Sequence, residues 1–379
     1  MEFSEVLGLT FIKKHLQQSA DLGRIPHAQL FVGAEGSGTL PMALAYAQYL
    51  LCKASFDFVA SKLKCEKLSH PDLHFAFPVA TNDVVKKDPI SNLFLSDWRS
   101  FITQNPYGNL FDWLQFIGIE NKQGFINVDE AEQIVKSLKL KSYEGGYKVM
   151  IIWMAEKMNT SAANKLLKLI EEPPAKTVFI LIVEKEEQLI STIRSRCQVL
   201  HFPLLSELDI VNGLVLSENI SEKEALNIAH QANGNFNKAL NILRNNSNDL
   251  VFEQWFITWV RSAFKAKGDA SVIAQLVEWS ENIAGTGRET QKQFLNYCLQ
   301  FFRQALLQNY AVTDLVFLQP QTENFKFESF SKFIHSGNIV DISKEIDDAI
   351  YHIERNGNAK IIFLDLSIKL TRLIHKNES

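Results

Sequence analysis

Two uninterrupted apolar runs, KVMIIWM (148–154) and TVFILIV (177–183), constrain the fold more than any other feature of this chain. Each has strand length and, past its first residue, no polar position on either face, the pattern of a strand buried on both sides of a parallel sheet. Between them, SAANKLLKLIEEPP has helical spacing, with Asn159, Thr160 or Ser161 as cap and Pro173-Pro174 as stop. The same alternation extends outward. RIPHAQLFVG reads as a strand and LPMALAYAQYLLC as the helix after it. FINVDEAEQIVKSLKL is an amphipathic helix with Ala131, Ile134, Val135 and Leu138 on one stripe. ISTIRSRCQVLHF gives a turn of helix and a final short strand. Strands alternating with helices imply a parallel α/β sheet.

After Pro203 the strand patterns stop. SELDIVNGLVLSENISEKEALNIAHQANGNFNKALNILRN reads as short helices broken at the glycine of NGN, and the remainder as all-helical. QKQFLNYCLQFFRQALLQ places Phe294, Tyr297, Cys298, Phe301, Phe302 and Ala305 on one face, and GNAKIIFLDLSIKLTRLI closes the chain in the same way. The expected division is an α/β domain over 1–203, a small helical lid over 204–248 and a helical domain over 249–379. Residues 76–124 fit neither pattern and read as an irregular, aromatic-rich insertion.

At 379 residues, two or three domains are expected. A formal net charge of −4 argues against a protein that coats DNA by charge alone. The four cysteines, at 52, 65, 197 and 298, follow no pattern and suit a reducing compartment. No run approaches a membrane helix, and the acidic start MEFSE is unlike a signal peptide. A soluble, cytoplasmic protein is expected.

The stretch LFVGAEGSGTL (30–40) carries Gly33, Gly36 and Gly38 between strand and helix, the glycine spacing of G-x-x-x-x-G-K-[ST]. In that motif backbone N–H groups cradle phosphates, the lysine reaches the β- and γ-phosphates, and the hydroxyl holds Mg²⁺. Here Thr39 stands at the lysine position and Leu40 at the hydroxyl position. A hydrolase of this architecture also needs an acid after a second buried strand. The corresponding residues are Trp153 and Met154, which neither bind Mg²⁺ nor accept a proton. Two elements of hydrolysis are therefore missing. In TIRSRCQ, Ser195, Arg196 and Cys197 end the α/β region. An arginine there is placed to reach a neighbouring subunit's nucleotide, although on composition alone both Arg194 and Arg196 read as surface residues paired with acids.

Taken together, RIPHAQLFVGAEGSGT, SHPDLH, YKVMIIWMAEKMNTSAANKLLKLIEEPPAKTVFILIV and STIRSRCQ resemble the AAA+ clamp-loader subunits of bacterial DNA polymerase III. The resemblance implies an AAA+ module, that is, a parallel sheet with flanking helices and a helical lid, followed by a C-terminal helical collar that closes a ring. Within the family, ATPase subunits are called gamma or tau and an ATPase-dead type delta prime. Thr39, Leu40, Trp153 and Met154 resemble the dead type. So does Asn237, in ANGNFNKAL, where hydrolysing relatives carry an arginine on their own nucleotide. Arg196, within the SRC motif, matches the family's finger acting in trans. The implied partners are gamma/tau and delta subunits, with the sliding clamp and primed DNA reached through the complex. ATP would be bound by the partners, and this chain would need no cofactor. The glycine loop would survive as architecture, or at most as a weak phosphate cradle.

The family often carries a four-cysteine zinc module after the loop helix. This interval holds only Cys52 and Cys65, and His70 and His74 complete the count at poor spacing, so no metal is expected. A competing reading is an active NTPase whose lysine has moved to Lys148 or Lys157. It leaves the metal ligand missing.

Overall fold

Five parallel strands form the sheet, in the order β2-β3-β4-β1-β5, with β1 Ala28–Val32, β2 Leu73–Ala76, β3 Lys148–Trp153, β4 Thr177–Val183 and β5 Gln198–His201. Every residue of β3 and β4 is buried, as continuous apolar runs require. They pair in register from Lys148 opposite Thr177 to Trp153 opposite Ile182. The computed structural model describes residues 1–119, 122–244, 249–312, 315–318, 320, 322 and 325–376. These fall into two units, one ending at Arg244 and one holding the helices from Asp249 onward. The expected boundary at 248 lies outside the described residues.

In the first unit, α1 (Thr10–Asp21) precedes β1, and α2 (Thr39–Ala54) and α3 (Phe58–Glu66) separate β1 from β2. Then α4 (Leu95–Gln104), α5 (Leu110–Phe116) and α6 (Val128–Lys139) lead to β3, α7 (Thr160–Glu171) to β4 and α8 (Ser191–Arg194) to β5. Asn159 is the cap of α7, its side chain accepting from the Ala162 N–H at 2.8 Å, and the helix stops before Pro173. Three helices complete the unit: α9 (Glu207–Glu218), α10 (Glu222–Ala232) and α11 (Phe236–Leu243). Asn233 and Gly234, at φ 50° and φ 84°, make the left-handed break expected at NGN.

The segment read as an irregular insertion contains α4 and α5. Its aromatic residues build one cluster: Phe77 stacks on Trp98 at 4.2 Å, and Trp113 meets Trp98 edge-on at 5.2 Å. α5 has only seven residues, too few for periodicity to register, and is fixed by a capping box between Asn109 and Asp112.

The second unit consists of α12 (Asp249–Ala266), α13 (Val272–Ala284), α14 (Arg288–Asn309), α15 (Phe327–Ser331), α16 (Ser336–Glu354) and α17 (Ala359–Ile374). On α14, Phe294, Cys298, Phe301, Phe302 and Ala305 are buried as the spacing implies, while Tyr297 is half-buried. Trp259 stacks on Trp279 at 5.2 Å and donates its indole N–H to Ser367 Oγ at 2.8 Å. The parallel sheet with flanking helices, followed by a helical C-terminal region, is the architecture expected from the sequence.

Candidate functional site

β1 runs into the glycine loop, where the Gly33 N–H donates to the Val183 carbonyl at 3.1 Å. Gly36 and Gly38 adopt φ +69° and +93°, left-handed conformations that admit glycine without strain. α2 then begins at Thr39, and Leu40 turns into the core at 3% exposure. Up to this point the backbone follows a strand–loop–helix phosphate cradle.

What covers the loop is protein. The Phe236 N–H, at the start of α11, donates to the Gly36 carbonyl at 3.2 Å, and Asn235 Nδ2 donates to Glu35 Oε1 at 3.1 Å. A Cβ added at Gly36 would lie 2.0 Å from Asn235 Oδ1. From the other side come Pro106, Tyr107, Gly108 and Asn109 of the α4–α5 connection. The Tyr107 ring meets Phe236 edge-on at 4.9 Å, and its hydroxyl accepts from the Leu7 N–H at 2.9 Å. The cavity left between these residues, Trp153 and Met154 measures 30 Å³, room for about two waters.

Trp153 is 4% exposed and packs against Trp98 at 5.1 Å and Phe101 at 6.4 Å. The indole thus fills the end of β3 and joins the aromatic cluster of α4 and α5. Met154 follows it in a left-handed conformation, φ 56°, also buried. Asn237 is fully buried. Its Oδ1 accepts from Asn105 Nδ2 at 2.7 Å and its Nδ2 donates to Asp112 Oδ2 at 2.6 Å. Burial pushes the Asp112 carboxyl above its ordinary range. Sequence reading placed Asn237 on the lid but did not anticipate that it ties the lid to the α4–α5 connection.

Three carboxylates also gather here: Glu35 in the loop, Glu184 just after β4, and Glu156 just after β3. Glu156 Oε1 accepts from the Glu184 N–H at 2.9 Å. Burial, with the charges of Glu35 and Glu156 adding to it, pushes Glu184 up to about 8. None of the three stands out in the sequence, because single glutamates after strands carry no pattern. Lys148 is at the first position of β3, the opposite end from Trp153, and donates Nζ to the carbonyls of Leu138 and Leu140, the latter at 2.6 Å. Lys157 ends the turn Ala155–Lys157 after β3, and its charge acts on Glu156 and Glu184.

The second site lies after α8. Arg196 is exposed, and its Nε and Nη2 contact Glu171 Oε1, while Nη1 donates to the Thr192 carbonyl at 2.7 Å. Glu171 is the last residue of α7, so the LIEEPP and SRC stretches meet at this ion pair. Ser195 is exposed, with Oγ donating to the Thr192 carbonyl at 3.2 Å. The half-buried Cys197 thiol is pushed up to about 11 by burial.

Residues 8–206 match the model of the family described as DNA polymerase III, delta subunit. The chain belongs to this family of clamp-loader AAA+ proteins. It is 29% identical to DNA polymerase III subunit delta' of Bacillus subtilis over 238 residues, covering 62% of this chain and 59% of that protein. It is also 29% identical to DNA polymerase III subunit gamma of Buchnera aphidicola subsp. Schizaphis graminum over 248 residues, 64% of this chain and 57% of that one. The chain therefore spans less than two thirds of the length of these relatives. A solved gamma subunit-related protein of Thermotoga maritima aligns over 95% of this chain and 99% of its own, at 13% identity and TM-score 0.36.

Within this clamp-loader chain, the four residues weighed as metal ligands are distributed as follows. Cys52 on α2 and Cys65 on α3 are buried, and the interaction of the two thiols draws Cys52 down to about 7 and, with burial, pushes Cys65 well above the usual thiol range. His70 Nδ1 accepts from the Asp72 N–H at 3.1 Å and its Nε2 lies 3.3 Å from Glu144. His74 is on β2, its imidazole pushed down by burial. Among the described residues no group of three or more His, Cys, Asp or Glu is arranged to hold a metal ion. No described helix is long and apolar enough to cross a membrane.

Proposed function

We propose that this chain is the non-catalytic, delta prime type of clamp-loader subunit. In this reading it assembles with gamma/tau and delta subunits, and the complex loads the sliding clamp on primed DNA. It hydrolyses no ATP itself and presents Arg196 to the nucleotide of a neighbouring subunit. The observation that carries the reading is the state of the glycine loop. Thr39 and Leu40 supply neither cation nor metal ligand, Trp153 occupies the acid's position, and Tyr107 and Asn235 cover the space where phosphates would lie. An active enzyme with a relocated lysine is disfavoured, because Lys148 is engaged at the far end of β3.

For Arg196 the support is its exposure and its chemistry. A guanidinium is permanently charged and planar, suited to bridging phosphoryl oxygens across an interface. Its hold on Glu171 is a surface ion pair, of about 0–1 kcal/mol, so a neighbour's triphosphate competes for it at little cost. The C-terminal helices would supply the collar, and the protein would be cytoplasmic. The test is co-purification of this chain with the gamma, delta and clamp proteins of the same organism, followed by clamp loading on primed DNA. Stable assembly and loading that depends on this chain are expected. A chain that fails to enter the complex, or that is dispensable for loading, contradicts the proposal.

A further inference from the structure

An apolar surface that takes no part in the features above lies on α3 and the loop after α6. α3 buries Ser61 and Cys65 and turns Val59 and Leu63, one helical turn apart, outward at 75% and 51% exposure. Phe56, just before the helix, is fully exposed. The loop after α6 adds Leu140 and Tyr143, at 69% and 79% exposure. The loop and α3 are pinned together through Glu144, whose carboxylate accepts from Lys64 Nζ at 2.7 Å and Ser55 Oγ at 2.8 Å. These residues therefore form one neighbourhood. Isolated exposed apolar residues are ordinary, but a group of large ones in one place marks an interaction site.

The charge around them selects the partner. Residues 56–67 and 136–146 hold six lysines and three carboxylates, in a chain whose net charge is −4. Each of the three carboxylates is engaged locally: Asp57 caps α3 by accepting from the Ala60 N–H at 2.9 Å, Glu66 lies 3.9 Å from Lys62, and Glu144 holds Lys64. Lys67, Lys139 and Lys141 are exposed, and among the described residues no carboxylate pairs with them. The surface is thus aliphatic and aromatic at its centre and positive at its rim. That is the complement of an acidic segment carrying leucine or phenylalanine anchors. Phe56 and Tyr143 have flat faces on which bases could stack, but Val59, Leu63 and Leu140 have none, so a nucleic acid is the poorer fit.

We propose that the α3 face and the loop after α6 form a docking surface for an acidic amphipathic segment of another protein chain. The test uses the full chain and a fluorescein-labelled peptide in which aspartate and glutamate alternate with leucine and phenylalanine, followed by anisotropy. The peptide should bind, and more weakly as salt rises. Val59→Ser with Leu63→Ser, and separately Lys139→Glu with Lys141→Glu, should each weaken it by about tenfold. Peptides with serine at the apolar positions, or glutamine at the acidic ones, should bind less tightly than the parent. All four substituted positions are exposed, and circular dichroism checks that each variant is folded. Absence of peptide binding to the wild-type chain overturns the proposal, and so does equal affinity for wild type and both folded variants. Preferential binding of oligo-dT, lost in the same variants, overturns it in favour of a nucleic-acid surface.

Discussion

Replacing Trp153 tests whether the end of β3 has been given over to packing. The side chain is 4% exposed and packs against Trp98 and Phe101. A buried indole removes roughly 200 Å² from water, about 5 kcal/mol at 25 cal/mol per Å². Alanine keeps the Cβ, and large-to-small core substitutions at tryptophan cost about 3–5 kcal/mol. For a unit of this size, each kcal/mol lowers the melting temperature by about 2–4 °C. Trp153→Ala should therefore lower the melting transition of the sheet-containing unit by about 6–20 °C in scanning calorimetry. Trp153→Asp should cost more, since a carboxylate would then be buried among rings with no partner. The acid that metal binding would require is thus the residue this site accommodates least. A shift under about 3 °C for Trp153→Ala would show that the aromatic cluster does not depend on the indole, and the reasoning fails.

Further outcomes are expected. Glu130, buried on α6 and accepting from the Ser91 N–H, is pushed up from 4.5 to about 7, chiefly by burial. The unfolded chain therefore loses this proton first as pH rises, and stability falls with pH between those two values. Glu130→Gln should flatten that slope in part and raise stability at alkaline pH by about 1–3 kcal/mol, read as a higher urea midpoint. A variant no more stable than wild type at alkaline pH contradicts this. Thr39→Lys alone should create no ATP turnover, because Leu40, Trp153 and Met154 still leave Mg²⁺ without ligands. Measurable turnover would mean that the metal-binding acid lies elsewhere. Arg196→Ala and Arg196→Lys should leave the chain folded and assembled, yet lower the DNA- and clamp-stimulated ATP hydrolysis of the reconstituted complex. A finger is worth roughly 10³–10⁵ at its own site, so the bulk rate falls by that site's share. Unchanged hydrolysis in an intact mutant complex makes Arg196 a surface arginine bound to Glu171.

The central sheet was legible because β3 and β4 are buried on both faces and so contain almost nothing but apolar residues. The strand β2, by contrast, has only four residues, and His74 interrupts its apolar run. α3 gave no signal for a related reason: its outward face carries Val59 and Leu63, so burial and hydrophobicity disagree along it. The residues of the glycine loop could be named in advance, since their spacing is local. What covers the loop could not. Asn105, Tyr107 and Asp112 are far in sequence from Gly36 and Asn237, and their contacts depend on how α4 and α5 fold over the end of the sheet. The same holds for Arg196 and Glu171, two motif residues whose pairing only the fold brings about.

The central claim is that the nucleotide site of this chain is closed and inert. Steady-state hydrolysis by the purified chain, with ATP and Mg²⁺ in excess, tests it most directly. The account predicts no turnover above that of a buffer control. A kcat of about one per second or more, within the range typical of enzymes, would contradict it.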